Sequence, residues 1–318
     1  MLFGSMKNFN NFHLIALLSL LATTGAAAAV CSDTDAVALE WLDKMSKNMR
    51  EVNYQGVVTL QRDDEMQVMQ VSHFVDHGRS SERLTELTGQ GAQVARLEHP
   101  LDCLHPGDNL LRLNEMLQED RCGIAEQYRF SVVDDERVAG RKTLRINIQP
   151  RDIYRFGYAM FLDRETGLLL KSQTISHDHR TLETTQFAQI SYTDDVPATS
   201  DVDVVHEAQH PHPESPSVNV ASTRHWTIGW VPSGFSATDS SLGINGRRTY
   251  TDGLAVFSVF LENLDQQIRP GEGQVMQGGT ITYTRGRHLG GQPVLVTVIG
   301  EVPLNTARMV ADSVAWVQ

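Results

Sequence analysis

The chain has 318 residues, 41% of them hydrophobic, and a formal net charge of −12. At the usual ~100 to 200 residues per domain this leaves room for about two domains with real cores, which excludes a disordered chain. The acidic balance argues against nucleic-acid binding and against an anionic bilayer surface, although Arg151, Arg155, Arg247, Arg248, Arg285 and Arg287 could build local basic patches.

At the amino terminus Lys7, an apolar run at 14–21 broken only by Ser19, and small residues at 26–29 follow the order of a cleavable secretory signal, expected to occupy residues 1–29. The greasy part is shorter than the ~20 residues a spanning helix needs, so export is expected. Cys31 stands where a lipoprotein would carry its lipid, but the bulky Val30 precedes it where processing favours a small residue. In an oxidising compartment Cys103 and Cys122 would close a loop with a disulfide worth ~3 kcal/mol; the alternative is two free buried thiols.

Within 33–49 the apolar positions Ala38, Leu42, Met45 and Met49, with Trp41 beside them, predict an amphipathic helix capped by Ser32 or Asp33. Short extended segments follow at 54–60, 66–74, 79–87 and 93–98, separated by Asp63-Asp64, His77-Gly78 and Gly89-Gln90-Gly91. More are expected at 127–133, 138–148 and 181–192. Between them 158–162 and 168–174 form a hairpin around Asp163 to Gly167, led into by a structured loop rich in arginine and aromatic residues at 151–158. These elements make a first domain, 30–196, that is a large curved antiparallel sheet with few covering helices. Its apolar residues Trp41, Val58, Leu60, Met69, Phe130, Phe161 and Leu169 are candidate liners of a cavity, or equally ordinary core.

Periodicity stops at 194–219, where Pro197, Pro211, Pro213 and Pro216 sit among Asp, Ser, Glu and His; 197–219 is expected to be an extended linker. Beyond it, 224–232, 249–260, 274–285 and 293–301 read as strands, and Leu304, Ala307, Val310, Ala311 and Val314 give a closing helix with Pro303 in its first turn. The second domain, 220–318, is thus a smaller α+β unit and the whole chain is α+β in class.

Catalytic signatures are missing: there is no Gly-x-Ser-x-Gly, no Walker A and no Cys-x-x-Cys, and Gly271-Glu272-Gly273 lacks the third glycine of a dinucleotide fingerprint. His206-Glu207-Ala208-Gln209-His210 spells a zinc-hydrolase motif, but prolines follow at once and no apolar stripe would dock a helix there. His177 and His179, expected on one strand face, fall short of a metal site. No enzyme, cofactor or metal is expected.

Three stretches carry a resemblance. They are Tyr154-Arg155-Phe156-Gly157-Tyr158 with Leu162-Asp163 and Thr166-Gly167-Leu168-Leu169-Leu170-Lys171; Asn53-Tyr54-Gln55-Gly56-Val57-Val58 with His73 and Ser81-Glu82-Arg83-Leu84; and Tyr250-Thr251-Asp252-Gly253-Leu254 with Ser258-Val259-Phe260 and Gly300-Glu301-Val302-Pro303. Together, in this order, they resemble the RseB/MucB family of periplasmic regulators. The resemblance implies a half-open barrel like that of periplasmic lipoprotein carriers, and binding to the periplasmic part of a membrane-spanning anti-sigma factor, which is shielded from proteolysis until lipopolysaccharide or another lipid relieves the block. A lipid or lipoprotein carrier is the competing reading, and homo-oligomerisation stays open. Aromatic anchors and arginine donors place the expected docking surface around Tyr250, Asp252, Phe257 and Phe260, with Arg151 and Arg155 contributing from the domain junction; the alternative is that at least one of Phe257 and Phe260, on opposite faces of a regular strand, is core and that Asp252 serves only an Asp252-Gly253 turn.

Overall fold

The computed structural model describes residues 33–89, 91–101, 123–193, 226–238, 247–264 and 271–317. The signal segment, Cys31, Cys103 and Cys122 with their expected disulfide, the linker and its His206 to His210 motif lie outside the described residues.

Helix α1 (Ala36–Glu51) begins at Asp35, whose Oδ1 accepts the Val37 N–H at 2.9 Å. The expectation of Asp33 as cap is corrected, because its carboxylate is taken by Arg151 and Arg129. A stripe of Ala38, Leu39, Leu42 and Met45 packs on Tyr128, Phe130, Leu144, Ile146, Ile148, Met160 and Leu162 of the sheet beneath. Each large apolar side chain fully buried there contributes ~1.5 to 3 kcal/mol.

That sheet has nine strands: β1 (Tyr54–Arg62), β2 (Glu65–Asp76), β3 (Arg79–Glu86), β4 (Gln93–Pro100), β5 (Tyr128–Val138), β6 (Arg141–Pro150), β7 (Gly157–Asp163), β8 (Leu169–Ile175) and β9 (Thr181–Tyr192). Their order is β4-β3-β2-β1-β9-β8-β7-β6-β5, antiparallel throughout. Two meanders are thus joined where β9 pairs with β1, and β4 and β5 form opposite edges of an open sheet. All seven residues of β7 are buried, because α1 covers one face of it while the cross-strand neighbours Arg145 and Lys171 cover the Phe161 ring on the other.

The second domain contains β10 (Trp226–Ile228), β11 (Ser236–Ala237), β12 (Arg247–Thr251), β13 (Val256–Asn263), β14 (Gly271–Gln277), β15 (Thr280–Leu289), β16 (Gln292–Gly300), α2 (Leu304–Asp312) and β17 (Val314–Trp316). Six of its strands form a sheet ordered β11-β12-β13-β16-β15-β14, and β10 pairs with β17. Phe257, Val259, Tyr283, Val294, Val296 and Val298 meet Ala307, Val310 and Ala311 of α2 in its core. Gly300 is required: a Cβ there would lie 2.3 Å from the Val256 carbonyl oxygen.

Two expected strands are hairpins. The 249–260 segment folds back where the Asp252 Oδ1 accepts the N–H groups of Leu254 and Ala255, with Gly253 at φ +100°. The 274–285 segment folds back between Gln277 and Thr280, with Gly278 at φ +57°. Among the described residues of 224–232 only Trp226–Ile228 is strand, and the closing helix stops at Asp312, leaving Val314 to β17. His177 and His179 are also corrected: they sit in the turn between β8 and β9, His179 at φ +61°, and not on a strand face.

Candidate functional site: the junction of the two domains

The loop at 151–156 is wedged between the domains. Tyr154 meets Trp230 edge to face at 5.2 Å, and its carbonyl accepts the Thr306 hydroxyl of α2 at 2.9 Å. Arg155 is 0% exposed and pairs at 2.7 Å with Asp252, whose side chain is equally buried. The same Asp252 oxygen accepts the Tyr128 hydroxyl at 2.8 Å. Arg155 also donates to Asp152 and to the Ser233 carbonyl, and its guanidinium lies 5.4 Å from the Tyr128 ring and 5.2 Å from that of Phe235. Burial and then the neighbouring Asp252 charge hold the Tyr128 hydroxyl well above the usual phenol range, so it donates a proton hydrogen bond and stays neutral.

The expected docking surface is therefore corrected in part. Arg155 and Asp252 spend their hydrogen bonds inside the junction, on one another and on Asp152, the Ser233 carbonyl, the Tyr128 hydroxyl and two backbone N–H groups, and Phe257 is fully buried in the second core. None of these three is free to meet a partner in this arrangement. Phe260, on the opposite face of β13, is 36% exposed, and Tyr250 is half-buried, stacked on Phe257 at 5.4 Å. Arg151 is tied to Asp33, and the hydrogen bonds from Arg151 and then Arg129 hold the Asp33 carboxyl far below the ordinary range.

The seven candidate cavity liners divide. Trp41, Phe130 and Leu169 gather at the cluster under α1; Phe161 belongs to a separate cluster; Val58 and Met69 are cross-strand partners on β1 and β2, with Leu60 two residues along β1. On the Phe161 side of the sheet, Arg145, Asn147, Gln149, Gln173, His177 and His179 edge a cleft of about 480 Å³.

Asp163, expected only as a turn residue, is buried and bound by Arg141, by the Tyr192 hydroxyl and by the Glu165 N–H at 2.9 Å. Burial would raise its carboxyl, but the Arg141 hydrogen bond and then that of Tyr192 prevail and hold it below the usual range. Its position, last in an apolar strand and opening a turn, gave no hint of partners 22 and 29 residues away.

The β14–β15 tip also reaches the first domain. A Cβ on Gly278 would lie 2.7 Å from the Glu183 Oε2 and one on Gly279 3.0 Å from Thr174 Cγ2, so backbone packs closely on side chains here, and the left-handed φ of +57° favours glycine at 278. Arg62 pairs with Glu183 at 3.0 Å, and Glu301, at the end of β16, brings a second carboxylate to this pair. Burial, and next the Glu183 charge, raise the Glu301 carboxyl against the pull of Arg62. The native state thus holds that proton more tightly than the unfolded chain. The stabilisation is complete below the ordinary glutamate value of 4.5 and is lost as pH rises through the raised native value. Glu301→Gln is expected to flatten the pH dependence of the melting temperature across that interval and to exceed the parent protein above it. A parallel pair of curves would refute this.

Residues 37–205 match the MucB/RseB N-terminal domain and residues 220–315 the MucB/RseB C-terminal domain. The sigma factor AlgU regulatory protein MucB of Pseudomonas aeruginosa is 32% identical over 312 residues, covering 93% of this chain and 96% of its own. The sigma-E factor regulatory protein RseB of Escherichia coli K12 is 24% identical over 316 residues, covering 94% and 95%. Among solved structures, MucB in complex with MucA(peri) aligns with a TM-score of 0.69 at 29% identity, over 88% of this chain and 99% of that one. The Pseudomonas aeruginosa MucA/MucB complex aligns with a TM-score of 0.70 at 29% identity, over 89% and 100%. With both domains matched in order and nearly the full length shared, the chain belongs to the MucB/RseB family.

Proposed function

We propose that this protein is a periplasmic regulator that binds the periplasmic region of a transmembrane anti-sigma factor and shields it from proteolysis. The observation that carries this is the alignment of both domains, as one arrangement, with MucB bound to MucA(peri). Binding by occlusion needs no nucleophile and no metal, and the named relatives are regulatory proteins. Among the described residues no helix is long and apolar enough to cross a membrane, which fits export past the inner membrane after loss of the signal segment.

Lipid sensing is the finer part of the proposal. The row Val71, Leu84 and Val94 crosses β2, β3 and β4 in register, with Leu84 and Val94 exposed, and offers apolar surface that neighbouring protein leaves open. A lipid or lipoprotein carrier would use the same surface and have no need of the junction with the second domain. Calorimetric titration of the full chain with the cognate periplasmic segment separates the two. Saturable binding that lipopolysaccharide weakens is expected. Lipid transfer between vesicles with no segment binding would favour the carrier.

A further inference from the structure

β14 is the edge of the six-stranded sheet, and all seven of its residues are exposed. A free edge presents a row of unpaired N–H and C=O groups, and proteins ordinarily blunt it by shortening, bulging or charging the strand. The other edges of the two large sheets are treated so. β11 has two residues; the pairing of β3 with β4 and that of β5 with β6 are both broken by register shifts. β14 has none of these devices. Its seven pairs with β15 run without a shift, it contains no lysine or proline, and its one charge, Glu272, is drawn onto Tyr283, Arg285 and Arg308. Val275 and Met276, 68% and 48% exposed, point to opposite faces of the strand.

The edge is also held in place and polarised. At its far end Gln277 donates to Glu65 at 3.3 Å, beside the exposed Asp63-Asp64 turn of the first domain. At its near end a cleft of about 450 Å³ is lined by Gly271, Glu272, Arg285, Gly286, Arg287 and His288. Arg285 and Arg308 share Glu272 there, Arg285 also reaches Asp312, and Arg287 caps the last carbonyls of α2, so three arginines face two carboxylates. The edge therefore runs about 20 Å from a basic end to an acidic one.

From this we infer that β14 is a strand-addition site for an extended segment of the anti-sigma factor's periplasmic region: alternating apolar side chains at its centre, a carboxylate at the Arg285–Arg308 end and a basic residue at the Asp63–Glu65 end. The assignment rests on the function proposed above. A second copy of this chain is the less suitable occupant, because each copy brings a formal charge of −12 to the pairing.

Amide exchange read by mass spectrometry, on the full chain with and without the cognate periplasmic segment, tests the inference together with two proline variants. Neighbouring residues of β14 alternate between N–H groups aimed at β15 and N–H groups aimed outward. One of Gln274→Pro and Val275→Pro therefore removes only an outward donor, and its unchanged melting temperature identifies it. We expect protection of 271–277 on binding, and at least about tenfold weaker binding by the variant that keeps its fold. Tight binding with unaltered exchange in 271–277 and undiminished affinity in that variant would overturn the site while leaving the proposed function standing. Protection that grows with protein concentration in the absence of the segment would assign the edge to a second copy instead. Wild-type protein that fails to bind the segment at all would remove both the function and the site.

Discussion

Arg155→Ala is expected to destabilise the protein by about 3 to 5 kcal/mol, the usual result of leaving one member of a buried ion pair without its partner. Asp252 would then be a carboxylate with no counter-charge in a site closed to water, retaining only the Tyr128 hydroxyl and two backbone N–H groups. Arg155→Lys is expected to recover little, because an ammonium cannot reach Asp252, Asp152 and the Ser233 carbonyl together as the planar fork does. Denaturant titration followed by tryptophan emission checks both variants. Trp230, edge to face against Tyr154, lies at the junction and reports its opening. Since the pair joins two domains, the first transition is expected to separate from the second in Arg155→Ala; a single transition at the parental midpoint would mean that the pair contributes nothing to the junction. Any loss of partner binding in this variant is thereby an effect on domain arrangement and not the loss of a contact.

Phe257→Ala is expected to cost about 3 to 5 kcal/mol, whereas Phe260→Ala should stay within about 1 kcal/mol. The two rings sit three residues apart on β13 and so on opposite faces. Phe257 is 0% exposed, against Phe235 at 5.1 Å and Tyr250 at 5.4 Å, and its removal leaves a cavity that a valine-rich sheet cannot close. Phe260 already meets solvent. Comparable losses in both would show that β13 buries both faces.

Much of this was legible in the residues. Alternating β-branched and polar residues with Asp-Asp and His-Gly turns placed the strands of the first domain within a few positions, and the spacing of Ala38, Leu42 and Met45 placed α1. Local pattern failed where a turn carried strand-forming neighbours. Tyr250 and Thr251 before Asp252-Gly253, and Val275 and Met276 before Gly278-Gly279, continue an extended pattern through a reversal, so two hairpins looked like single strands. The pairing of Arg155 with Asp252 was hidden for a different reason. Arg155 and Asp252 are 97 residues apart, and charged residues in loops are ordinarily solvated; only the three-dimensional meeting of the domains makes them a buried pair.

The junction also holds the two domains in one arrangement. Arg155 and Asp252, Tyr154 against Trp230, and the Gly278-Gly279 tip on Arg62 and Glu183 fix the second domain at three separate points on the first. A ligand that prefers another arrangement must break these contacts, and it can shift the equilibrium only by its difference in affinity for the two states.

The central claim is that this protein occludes a periplasmic anti-sigma segment, and the rate of cleavage of that segment by the protease that initiates its breakdown tests it most directly. With the full chain added at increasing ratios, cleavage is predicted to slow in a saturable way and to stop responding near one protein per segment. Cleavage that proceeds at its unprotected rate in the presence of excess folded protein would contradict the account.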